Sequence, residues 1–206
     1  ASEEQQALVE NYAKLTAAET LYATLLALRE DVQSYDAATV TSDDKTDLEA
    51  LLSRIDAVLT DELLADSARQ TLEDYQTGLN AMLSRLADIA AAIAELTARV
   101  DEIDPETVTR DDLGTLYALY EQVNALRREN NLSGQDQAEL AALLRRITDM
   151  MSLLTRVANT IEEVQNALGD MSIDTVTSAD KDAILAFAAQ IAQLTEGENL
   201  TAQQRA

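Results

Sequence analysis

From Leu72 to Ile103 an apolar residue recurs at alternating steps of three and four without a stutter: Leu72, Tyr75, Leu79, Met82, Leu86, Ile89, Ile93, Leu96, Val100 and Ile103. A strand would alternate every second residue. A ridge of this period argues helix, and its length argues helix–helix packing with a coiled-coil-like twist. The ridge returns 68 residues later as Leu140, Leu143, Ile147, Met150, Leu154, Val157, Ile161, Val164, Leu168 and Met171. Long helices over 66–103 and 134–171 follow, each about 57 Å long at the rise of an α-helix. Gly78 falls inside the first, but Arg146 takes its place in the second, so no kink is required there.

The same spacing runs through the intervening segments. Val40-Thr41-Ser42-Asp43-Asp44-Lys45 returns as Val108-Thr109-Arg110-Asp111-Asp112-Leu113 and as Val176-Thr177-Ser178-Ala179-Asp180-Lys181. Each Thr stands three residues before an Asp, in the manner of a capping box with Asp in place of Glu or Gln. The acids also suit the positive end of a helix dipole. Short helices over 43–60, 111–128 and 179–195 follow, with apolar steps such as Leu48, Leu51 or Leu52, Ile55 and Val58. Self-similarity at a fixed period argues a tandem array.

A short helix covers only about half the length of a long one. The rest of the ridge must be buried against the next copy. We therefore expect an all-α fold of tandem three-helix bundles, a spectrin-like rod in which each long helix is shared between consecutive bundles. The expected units are 1–86, 87–154 and 155–206, the last one truncated. In the first, Ser2–Gln5 and Thr16–Glu19 both read as capping boxes, so a helix over 3–14 should end before another begins. The chain stops inside what reads as a starting helix, as an excised fragment would.

The segment Glu4-Gln5-Gln6-Ala7-Leu8-Val9-Glu10-Asn11-Tyr12-Ala13-Lys14-Leu15-Thr16-Ala17-Ala18-Glu19 resembles a phrase of small helical repeats in Gram-positive surface proteins. The resemblance covers about 30 N-terminal residues closely and the remainder only in character. It implies an extracellular position at the bacterial cell surface and a role as spacer or adhesin stalk. It transfers no catalytic or ligand-binding residue.

The residue inventory narrows the chemistry. There is no His and no Cys, which removes the commonest general base, thiol nucleophiles and the usual zinc sites. No glycine-rich phosphate loop is present. Paired acids such as Asp111-Asp112 and Glu162-Glu163 read as solvated helix faces, and a glycosidase cleft would need sugar-stacking aromatics in a chain that has no Trp. Calcium at the Asp clusters would need several converging oxygens, and no EF-hand spacing exists. A net charge of -23 opposes nucleic acid and anionic membranes. No apolar run reaches the length that spans a bilayer. We therefore expect no enzyme, no cofactor and no resident metal. The partners expected are neighbouring repeats of the same, monomeric chain.

The first functional expectation is a non-catalytic spacer. The second is a protein-binding module that presents one bundle face. Its candidate residues are Tyr117, beside the apolar seam, and Leu119 and Phe187, which recur with Leu51 at one flanking position of the short helix. Tyr75 and Tyr120 fall on seams and are expected in the core. Asn131-Leu132-Ser133 and Asn199-Leu200-Thr201 match glycosylation sequons, but helix capping by Ser133 and Thr201 accounts for both.

Overall fold

The computed structural model describes residues 2–129, 131–169, 176–197 and 199–205. Among these the chain is all-helical: α1 Glu3–Gln33, α2 Lys45–Leu59, α3 Asp66–Asp101, α4 Leu113–Leu126, α5 Gly134–Gly169, α6 Lys181–Glu196 and the short α7 Ala202–Arg205. Helices α3 and α5 run unbroken for 36 residues each. The last residues expected of α5, 170 and 171, lie outside the described ones. A Cβ placed on Gly78 would meet open space, so this glycine answers to no packing demand.

Each short helix begins with the Thr-to-Asp cap. Thr41, Thr109 and Thr177 are extended, each followed by one 3-10 turn, Ser42–Asp44, Arg110–Asp112 and Ser178–Asp180. The Thr backbone N–H and hydroxyl both donate to one carboxylate oxygen, at 2.8 and 3.2 Å on Asp44 and 2.8 and 3.1 Å on Asp112. Asp is shorter than Glu, and the tight 3-10 turn brings its carboxylate within reach of both donors.

The expected break in the N-terminal helix is absent, because α1 is continuous from Glu3. Ser2 and Gln5 form the capping box read from the sequence. Thr16 does not cap. Its hydroxyl donates to the Tyr12 carbonyl, and Thr20 and Thr24 donate in the same way to Thr16 and Thr20. A threonine that satisfies itself on the carbonyl four residues back leaves the helix free to continue.

The chain divides into two compact units, Ala1–Ala91 with Glu129–Gly134, and Ala92–Arg128 with Gln135–Ala206. Within the latter, residues 155–206 are not set apart from the segment expected to form a separate unit. The core of the first unit joins Leu28 of α1, Val40, Leu48, Leu51 and Ile55 of the α2 segment, Leu64, and Leu72, Leu79 and Leu86 of α3. Shifting each of these by 68 gives Leu96, Val108, Leu116, Leu119, Val123, Leu132, Leu140, Ile147 and Leu154, and every one is buried. The polar rim follows the same register with its chemistry exchanged. In the first unit the Arg54 guanidinium donates to Asp31 at 2.6 Å, linking α2 to α1. In the second, Arg99 stands at the position of Asp31 and donates at 2.6 Å to Gln122, which stands at the position of Arg54.

Two outcomes follow from this packing. Leu116 is fully buried and its counterpart Ile184 is 36 % exposed. Leu116→Ala should therefore cost about 3 kcal/mol and Ile184→Ala below about 1 kcal/mol, as read from denaturant unfolding of the full chain. For the cap, the Thr177 backbone N–H first, and its hydroxyl second, hold the Asp180 carboxyl below the ordinary value. A lowered folded value means that the cap's contribution is complete above the unfolded aspartate pKa, about 3.9. It is lost as pH falls through the lowered folded one. Carboxyl carbon NMR titration should place Asp180 low, and Thr177→Ala should return it only in part, because the backbone donor remains.

Candidate functional site

Among the described residues, two side-chain arrangements bear on a candidate site. The first begins with an aspartate-built turn. In the first unit the Asp36 side chain accepts from the Ala38 N–H at 2.9 Å, and the Asp36 carbonyl accepts from Thr39 and Val40. In the second unit Asp104 does the same with Glu106, Thr107 and Val108. Pro105 fits this turn, since its fixed φ suits the residue after the leading aspartate. These bonds use the turn's N–H groups and leave the carbonyls of residues 37 and 40, or 105 and 108, available.

An asparagine side chain occupies those carbonyls. Asn131 Nδ2 donates to the Ala37 oxygen at 3.0 Å and to the Val40 oxygen at 2.7 Å. Asn199 Nδ2 donates to the Pro105 oxygen at 3.1 Å and to the Val108 oxygen at 2.9 Å. Both clasps thus repeat at a spacing of 68 in donor and acceptors alike. Asn131 is fully buried, and its Oδ1 has no partner among the described residues. A buried amide oxygen left in this way costs free energy, so the clasp trades stability for a defined register. Position 63, one period earlier, holds Leu63, which is exposed. The sequon reading of Asn131 fails on geometry, because a buried amide cannot carry a glycan. The capping reading of Thr201 is correct: its hydroxyl accepts from the Gln204 N–H, and its own N–H donates to the Gln204 side chain. The clasp itself left no signature for sequence reasoning beyond the recurring Asn.

The second place is a groove of about 540 Å³ in the second unit, lined by Tyr117, Tyr120 and Glu121 of α4 and by Thr148, Met151, Ser152 and Thr155 of α5. Tyr117 is 57 % exposed, as a surface candidate requires. Tyr120, expected in the core, is exposed too and borders the groove. Leu119 points the other way. It has no exposed surface and belongs to the core, so it drops out of the proposed face. Phe187, at the equivalent position of α6, is half-buried. At the positions of the two tyrosines the first copy has Glu49 and Leu52, and the third has Leu185 and Ala188, so the aromatic pair is particular to the second. The Thr148 and Thr155 hydroxyls are turned back onto their own helix, to the Leu144 and Met151 carbonyls.

Among the described residues no group of three His, Cys, Asp or Glu side chains could hold a metal ion. The cap aspartates are engaged with their threonines. No helix among the described residues is long and apolar enough to cross a membrane. No family model, curated protein or solved structure matches the chain.

Asn131→Ala should cost about 1–3 kcal/mol, because it strips two carbonyls of their buried donors. Native-state amide exchange should quicken at Thr39 and Val40, whose N–H groups hold the Asp36 turn, while the equivalent turn at Asp104 keeps its protection.

Proposed function

We propose that the chain is a tandem array of three-helix bundles with shared long helices, and that it serves as a non-catalytic spacer in an extracellular bacterial surface protein. The observation that carries this reading is the clasp at two sites 68 residues apart, Asn131 on Ala37 and Val40, and Asn199 on Pro105 and Val108. In each case a residue of one copy holds the opening turn of the copy before it. A device that recurs with the period and couples successive copies suits an element whose task is to transmit position. Nearest-neighbour coupling of this kind is how repeat arrays gain stiffness and cooperativity. The continuity of α3 and α5 supports the sharing of helices, and the resemblance of the N-terminal segment supports the cell-surface setting.

The strong acidity fits the same reading, since like charge along an exposed array keeps it solvated and discourages collapse onto itself. The runner-up, a protein-binding module, is favoured by the tyrosine-lined groove. Its aromatic pair departs from the repeat pattern at the surface, where such a departure is not explained by packing.

Small-angle scattering tests the spacer. A compact globule of 206 residues has a radius of gyration of about 17 Å. The array should give a clearly larger value and a pair-distance distribution with a long tail. A value near 17 Å overturns the spacer reading.

A further inference from the structure

We propose that the apolar face of α6 is a docking surface for an amphipathic helix of the kind that opens α3 and α5, led by its own Asn-Leu-Ser/Thr clasp. This inference rests on the repeat reading of the chain but not on the spacer role.

The argument starts from positions that share a register. Val40 and Val108, Leu48 and Leu116, and Ile55 and Val123 are all buried to within 3 % exposure. Their counterparts in the third copy, Val176, Ile184 and Ile191, are 41, 36 and 38 % exposed. The partner helix shows the same contrast. Ile89 and Ile93 of α3 are buried, and their equivalents Val157 and Ile161 of α5 are only half so. Local structure is not the cause, because the α6 cap is fully formed: the Thr177 N–H and hydroxyl reach Asp180 at 2.8 and 2.9 Å.

What covers this face is visible in the first copy. There Leu48, Leu51 and Ile55 share one core with Leu72, Leu79 and Leu86, three residues seven apart on the first half of α3. The first half of α5 repeats the pattern with buried Leu140, Ile147 and Leu154. The occupant's chemistry follows from these two cases: a helix with an aliphatic residue every seventh position. Asn199 is clasped on Pro105 and Val108, and Thr201 and Gln204 cap α7, whose first residue Ala202 stands 68 after Gly134.

Charge points the same way. From Ala183 to Thr195, α6 carries no ionisable side chain, in a chain of which 26 % of residues are charged. The equivalent stretch of α2 buries Leu48, Leu51 and Ile55 and carries Asp47, Glu49, Arg54 and Asp56 at its other positions, so the apolar positions that α6 shares with it are the ones that match burial.

The test extends the full chain after Ala206 with a 16-residue copy of its own Glu139–Leu154 segment, so that α7 continues in register. Hydrogen exchange in α6 is then compared with the unextended chain. The expected result is a gain in protection of about 100-fold across the Ile184–Ile191 face. Ile184→Asp and Ile191→Asp, at exposed positions that should tolerate the change in the unextended chain, should each abolish the gain. Unchanged exchange in α6, or a gain that survives both substitutions, overturns the proposal. So does concentration-dependent protection of α6 in the unextended chain, which would assign the face to a second copy. Scattering alone decides the spacer role, so the two readings can fail separately.

Discussion

The structure depends on one mismatch of lengths. A 36-residue helix carries an apolar ridge from end to end, and the helix that precedes it, α2 or α4, has 15 or 14 residues. Burial of that ridge is the main favourable term available, since the chain has no disulfide and the ion pairs among the described residues are largely exposed. The helix cannot satisfy both halves against one short neighbour. In α3 the residues up to Ala91 belong to the first compact unit and the remainder to the second. The ridge stays buried through both, from Leu72 to Val100, with Tyr75 and Met82 half-covered. Length alone thus leaves part of the ridge in need of cover beyond the short helix that precedes it.

The helices were legible in the residues because their pattern is periodic. The ridge, the Thr-to-Asp caps and the 68-residue register each rest on spacing along the chain, and local spacing is what one sequence displays. The misread positions are those where spacing is ambiguous or the partner is remote. Thr16-Ala17-Ala18-Glu19 has the letters of a capping box, but a threonine inside a helix can bond to the carbonyl four residues back, and this one does. Leu119 and Tyr120 are adjacent, and both lie near the edge of the α4 stripe. A helix of 3.6 residues per turn buries one and exposes the other, and a heptad count cannot choose between them. The fold chooses Leu119, which leaves Tyr120 beside Tyr117 at the groove. The acceptors of the Asn131 clasp lie 91 and 94 residues away, so nothing local could announce them.

That clasp illustrates why a buried polar group persists where a leucine would give more apolar burial. The amide nitrogen has two good acceptors, but the oxygen has none among the described residues, so the pair of bonds is partly offset by a desolvation cost. Its value lies in direction. An apolar contact tolerates sliding by a turn, whereas an Nδ2 group shared between two carbonyls fixes one register. Leu63 stands at the same position in the first copy and is exposed.

The surface follows a looser rule. Asp31 with Arg54 and Arg99 with Gln122 place a polar contact at the same pair of positions while exchanging which helix carries the cation. Exposed pairs of this sort contribute at most about 1 kcal/mol, too little to direct a fold. Only the geometry is preserved, since a cation on either helix reaches an oxygen on the other. The net charge of -23 is free to accumulate on such a surface, because the aliphatic ridge and the clasps hold the register without it. A face that lacks charge, as α6 does from Ala183 to Thr195, is therefore the exception that calls for a physical cause. Burial of the apolar positions alone does not supply it, because α2 buries Leu48, Leu51 and Ile55 and still carries Asp47, Glu49, Arg54 and Asp56 over the same stretch.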